Sequence, residues 1–159
     1  MPMRIISLSQ ANAEKIATWH YPSQYAFYNT DADAEDYAEI LSSKQRGNRF
    51  YQVTDDHDSN LLIGYFAIEA TADADVLEVG LGMTPVLTGH GYGLSFVQTL
   101  VAFIVSHYQP RELQLHVAEF SQRAQITYQR AGFEISKCYS QTDTDGKVYR
   151  FIIMSRNFT

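Results

Sequence analysis

The chain has little cysteine, no long apolar run and no excess of basic residues, so it has little with which to build cross-links, membrane helices or polyanion-binding faces. It has one cysteine, Cys138, among 159 residues. No disulfide can close within it, and no Cys-rich metal site can form. Its five histidines are scattered, so no metal is expected. No stretch approaches the roughly 18 apolar residues that a membrane helix requires. The start, Met1-Pro2-Met3-Arg4-Ile5-Ile6, lacks the long apolar run of a secretory leader. The expectation is a soluble cytoplasmic protein with no membrane partner. Lysine and arginine total 12 against 18 aspartate and glutamate, for a net charge of −6. That balance gives no basic face for nucleic acid. It serves solubility, and at a distance it attracts cationic partners such as amines.

What is present is an ordinary globular composition with many aromatics. Apolar residues make up 45 %, with eleven tyrosines and nine phenylalanines. The length suits one domain, 1–159. Alternation and turn residues predict strands over Arg4–Leu8, Phe50–Val53, Leu61–Ala70, Val76–Met83, Leu113–Val117, Phe133–Ser140 and Val148–Ser155. Helices are predicted after a cap at Ser9 or Asn12, after a cap at Asp31 or Asp33, over Gly91–Tyr108 and over Gln122–Ala131. The Gly91–Tyr108 helix is apolar on two sides, so it belongs in the middle of the fold. Cys138 reads as an inert apolar filler in its strand. The turn Asp143-Thr144-Asp145-Gly146 joins the last two strands. The expected fold is α/β, with a mixed, mostly antiparallel sheet of six to seven strands and about four flanking helices.

Two features carry chemistry. In Val76–Met83, Glu78, Gly80 and Gly82 share one face. The two glycines leave that face bare, as where a ligand or another backbone comes close. The strand is followed by Thr88-Gly89-His90-Gly91-Tyr92-Gly93 and a strong helix. Alternate glycines at a helix start expose backbone N–H groups that suit phosphate oxygens. A dinucleotide fingerprint needs a different glycine spacing and a later acid, and a P-loop needs Gly-Lys-Ser/Thr; neither is present.

The glycine turn resembles the acyl-CoA signature of the GNAT superfamily of N-acetyltransferases, Arg/Gln-x-x-Gly-x-Gly/Ala. A second segment, Ala124-x-x-x-Tyr128-Gln129-Arg130-Ala131-Gly132-Phe133, resembles that family's Ala-x-x-x-Tyr-x-x-x-Gly-Phe. The resemblance covers nearly the whole chain. It implies acetyl-CoA as co-substrate, a small-molecule or peptide amine as acceptor, and direct transfer between them. It leaves a homodimer open. Leu81, Gly82, Met83, Thr88, Gly89, His90, Gly91, Tyr92, Gly93, Ser121 and Arg123 are the implied CoA-binding residues. Thr88 stands where the family has Arg or Gln, and Ser121 where an Asn is common. The pyrophosphate would then rest mainly on backbone amides, with the Thr88 hydroxyl, a protonated His90 and Arg123 as added donors. These departures also fit a catalytically silent acyl-CoA-binding sensor or interaction domain on the same fold.

Transfer to an amine needs a base, because a lysine-like amine with pKa ~10.4 is protonated at neutral pH. It also needs an acid for the departing thiolate. The resemblance points to Tyr128 as the acid and to Glu78 as the first candidate base. His116 is the second candidate base: it faces away from Leu113, Leu115 and Val117 on its strand, and imidazole has a suitable pKa. Glu69 is a weaker third. A backbone N–H near Leu81 or Met83 would polarise the carbonyl. The aromatic segment Trp19–Tyr28 reads as core or, by the resemblance, as the acceptor side, where rings grip an amine.

Overall fold

A computed structural model describes residues 2–143 and 145–158. Thr144, in the expected last turn, lies outside the described residues. Seven strands form one mixed sheet in the order β1-β2-β3-β4-β5-β7-β6. The chain falls into two compact units. The first holds residues up to Ala67 together with Leu81–Gly93, and the second holds Ile68–Gly80 and the residues from Leu94 onward.

In the first unit, β1 (Met3–Ser7) pairs antiparallel with β2 (Phe50–Asp55), and β2 with β3 (Leu62–Ala70). Helix α1 (Gln10–Ala17) starts at Ser9, whose Oγ accepts from the Asn12 N–H at 3.1 Å. Buried Gln52 fixes the same helix start: its Oε1 accepts from Ser9 N–H at 3.0 Å and from Asn12 Nδ2 at 2.9 Å. Asp33, not Asp31, caps α2 (Ala34–Leu41), accepting from the Glu35 and Asp36 amides at 2.9 and 3.1 Å. One-turn α3 (Ser43–Arg46) brings Arg46 under the end of α2. Its buried guanidinium donates to the Ile40 carbonyl at 2.6 Å and to Gln10 Oε1 at 2.9 Å. The core here is Leu8, Ala13, Ile16, Ala17, Ile40, Phe50, Leu62 and Ala67. Trp19 and Tyr65 pack on it, so the aromatic segment is core at its start.

In the second unit, β4 (Val76–Met83) runs parallel to β5 (Glu112–Ala118), with Glu78 opposite Gln114. A parallel pair needs a long crossover, and α4 (Gly93–Tyr108) lies within it. Phe96, Val97, Leu100, Val101 and Ile104 of α4 are buried along one broad stripe, while Gln98, Ala102, Ser106 and Tyr108 are exposed, so the helix is covered on one side rather than on the two its apolar pattern suggests. The helix starts at Gly93 rather than Gly91, because Gly91 has φ +86° and cannot continue a right-handed turn. β5 pairs antiparallel with β7 (Val148–Asn157), and β7 with the edge strand β6 (Glu134–Thr142). Cys138 is exposed, not the apolar filler its sequence neighbours suggest. As an edge strand, β6 leaves most of its residues open to water on both faces.

Helix α5 (Gln122–Arg130) ends in a feature that explains the Tyr128…Gly132-Phe133 spacing. Phe133 N–H donates to the Tyr128 carbonyl at 3.0 Å, and Gly132 N–H to the Gln129 carbonyl at 3.0 Å. This is a Schellman termination, with Gly132 in the left-handed region at φ +95°. Phe133, 1 % exposed, turns into the core. Arg156 donates to the Ala131 carbonyl at 3.0 Å, setting a cation at the negative helix end. Gly132→Ala should therefore lower unfolding free energy by about 1–2 kcal/mol from backbone strain. A Cβ there would meet the Arg156 side chain at 3.2 Å, which adds to that loss. Denaturant unfolding at constant slope would check it; an unchanged midpoint would contradict the capping role.

Candidate functional site

In the second unit the parallel register of β4 and β5 sets Glu78 and Gln114 side by side, and His116 follows on the same face. Glu78 Oε2 lies 3.6 Å from His116 Nε2. The two groups that the sequence offers as rival bases are thus neighbours. On its other side, His116 Nδ1 is 2.9 Å from the Tyr139 hydroxyl. The Tyr139 ring stacks on Phe151 at 5.2 Å. Burial, and next the charge of Glu78, push the Tyr139 phenol above the usual tyrosine range, so it keeps its proton at neutral pH. Tyr139 is a residue that sequence reasoning missed. Only strand pairing through β7 brings it to His116, 23 positions away in the chain.

In the first unit, the end of β4 meets the aromatic segment. Tyr21 donates its hydroxyl to the Met83 carbonyl at 2.7 Å. Burial, and then Tyr65, hold the Tyr21 phenol far above its ordinary value. Burial, and then Asp36 and Glu39, push Tyr65 up to about 12. The glycine-bare face of β4 is only partly open. A Cβ on Gly82 would sit 2.6 Å from Tyr65 Cε1, so the Tyr65 ring fills that gap. At Gly80 the space is empty. Leu81, Gly82 and Met83 are each half-buried.

The turn after β4 opens with a short 3-10 segment, Pro85–Leu87. The Thr88 hydroxyl donates to the Pro85 carbonyl at 2.7 Å. That proton is engaged within the turn. Gly89 and Gly91 take φ +78° and +86°. His90 and both of these glycines are exposed, and Tyr92 and Gly93 are half-buried at the start of α4. Successive residues of alternating hand turn their N–H groups toward one concave side, as in an anion-binding nest. A Cβ on Gly91 would meet nothing within 4 Å. The glycine is required there by its positive φ and not by crowding. These residues fit a phosphate group.

Comparison with known proteins decides the family. Residues 5–134 match the model of the acetyltransferase (GNAT) domain. The chain belongs to the GNAT family. Among solved structures, a spermidine N-acetyltransferase chimera of Vibrio cholerae SpeG and hSSAT superposes with TM-score 0.80 at 18 % identity, covering 99 % of this chain and 96 % of that one. An acetyltransferase (GNAT family) from Bacillus anthracis gives 0.79 at 11 % identity, covering 99 % and 95 %. Spermidine N-acetyltransferase from Vibrio cholerae in complex with CoA and spermine gives 0.72 at 16 % identity, covering 98 % and 95 %. At such identities the likeness establishes the fold. No curated protein sequence matches the chain.

The remaining GNAT positions lie on or just before α5. Ser121 is buried at its start and gives no side-chain cap. Arg123 is exposed on its first turn. Tyr128 is half-buried, and its carbonyl accepts the Schellman bond described above. Glu69, the weakest base candidate, is half-buried on β3.

The glycine turn can be tested apart from the chemistry. Gly91→Ala and Gly146→Ala both put a side chain at positive φ, +86° and +81°, with nothing within 4 Å. Each should lose about 1–2 kcal/mol of stability. CoA affinity measured by calorimetry should fall roughly tenfold or more only for Gly91→Ala, as 1.4 kcal/mol of lost contact would give. Equal affinities would remove the turn from CoA binding.

Proposed function

We propose that the chain is an acetyl-CoA-dependent N-acetyltransferase that moves an acetyl group directly to a primary amine. The observation that carries this reading is the continuous segment from β4 into α4. Along the chain come Glu78, an open Gly80 and then two left-handed glycines, Gly89 and Gly91, in the turn before α4. Membership of the GNAT family supports it, as do the amine-acetylating enzymes among its structural neighbours.

Acetyl-CoA would supply the activated carbonyl and the thiol leaving group. The backbone amides from Gly89 to Gly93 would hold its pyrophosphate. Glu78 takes a proton from the substrate ammonium, freeing the nitrogen lone pair that forms the new C–N bond. A backbone N–H at Leu81 or Met83 would stabilise charge on the acetyl oxygen. As the C–S bond breaks, Tyr128 gives its phenolic proton to the sulfur. The acylated nitrogen then sheds its second proton, which restores the Tyr128 phenol, and the proton held by Glu78 leaves to solvent, so the products are an N-acetyl amine, CoA thiol and a hydronium equivalent. The net charge of −6 favours cationic acceptors at long range.

The test is thiol release from acetyl-CoA against a panel of polyamines, amino acids, lysine peptides and peptide N-termini. At least one amine should support turnover. Glu78→Gln should lower kcat roughly a hundredfold. Tyr128→Phe should lower kcat while calorimetric CoA binding is unchanged. CoA binding without thiol release for any amine would favour instead an acyl-CoA sensor on the same fold, a reading to which the turn-committed Thr88 hydroxyl gives some support.

A further inference from the structure

We infer that Tyr139 is a positioning residue that holds His116 in its Nε2–H tautomer, so that Glu78 and not His116 takes the substrate proton. The inference deepens the proposed function and rests on it for its consequence in catalysis.

The placement of Tyr139 is a built feature of β6. Pairing of β6 with β7 shifts register between Ile135 and Lys137. Before the shift, Ile135 lies opposite buried Met154. After it, Lys137 lies opposite Ile153 and Tyr139 opposite Phe151. Ile153 and Phe151 in turn pair with His116 and Ala118 of β5. Without the extra residue, alternation would send Tyr139 to the opposite face of the sheet. A bulge that re-aims a side chain is a recurrent device beside functional sites. Phe151 then fixes the ring by parallel stacking, with 16° between planes. The Tyr139 and His116 rings meet edge-on, at 5.6 Å and 66°.

The tautomer follows from the two neighbours. A phenol that stays protonated donates its O–H to an imidazole lone pair, and only Nδ1 is within reach, at 2.9 Å. The ring proton of neutral His116 is then on Nε2, facing the Glu78 carboxylate at 3.6 Å. The other tautomer would set a nitrogen lone pair against an anion and waste the phenol proton. The other polar groups on this face do not oppose the assignment. Gln114 of β5 donates its amide to Glu112 at 2.7 Å, and Lys137 of β6 shares the row of His116 through Ile153. With Nε2 already protonated, His116 offers no lone pair on the Glu78 side. Glu78 is left as the acceptor of the amine proton, and the imidazole N–H steadies its carboxylate.

The experiment is long-range proton–nitrogen NMR of the His116 ring in the ligand-free, full-length chain, above the pH where the ring is charged. The wild type should show the Nε2–H pattern, and Tyr139→Phe should show a mixture of tautomers. The Phe side chain keeps the stacking surface for Phe151, and thermal unfolding will show whether the fold is kept. With the best amine of the panel, Tyr139→Phe should lower kcat roughly three- to tenfold, the worth of one hydrogen bond, and leave the KM for acetyl-CoA unchanged. An Nδ1–H pattern in the wild type overturns the inference, as does an unchanged pattern in a folded Tyr139→Phe. The NMR result needs no turnover, so its failure is distinguishable from failure of the amine screen.

Discussion

The register between β4 and β5 is the constraint on which the chemistry depends. Val76 to Val79 lie opposite Glu112 to Leu115, strand parallel to strand. Because side chains alternate, that register puts Glu78, Gln114 and His116 on one face and Val79, Leu113 and Leu115 on the other. The apolar set is buried, so burial of Val79, Leu113 and Leu115 is what holds the acid and the imidazole together. A slip of one residue would send His116 into the core and three aliphatic side chains into water. Burying each aliphatic side chain is worth about 1.5–3 kcal/mol, and a partly exposed Glu–His pair is worth far less. The core therefore sets the geometry of the pair.

A second constraint is backbone hand. Gly89, Gly91 and Gly132 all take positive φ. Left-handed backbone costs residues other than glycine roughly 1–2 kcal/mol. The same conformational freedom serves two ends. At Gly132 it stops α5 and drives Phe133 inward, and it fixes where Tyr128 stands on the last turn. Gly89 and Gly91 stand exposed in the turn before α4, where among the described residues none beyond the chain neighbours comes within 4 Å of a Cβ on Gly91. One use stabilises the fold, and the other shapes an open turn before α4.

The fold class and element order were legible because periodicity and punctuation are local. The apolar pattern of α4, the alternation in β4 and β5, and the Gly132 stop are each written within a dozen residues. The first helix and strand limits were close; the start of α4 was placed two residues early because of the hand of Gly91, and one-turn α3 was not expected at all. Cys138 was misread because a strand's sequence does not say whether it lies at the edge of a sheet.

The sequence by itself determined the family, the glycine turn, the carboxylate on β4 and the tyrosine on α5, because each is carried by residue type and short spacing. Tertiary structure decided which of these groups meet. It joined Glu78 to His116 through a parallel pairing whose partners lie 36 residues apart, 76 opposite 112 and 78 opposite 114. It brought Tyr139 to the imidazole through an antiparallel pairing and a bulge, and laid Tyr65 over Gly82. Cross-strand neighbours are set by register, and register is set by the burial of the whole face, which no local pattern specifies.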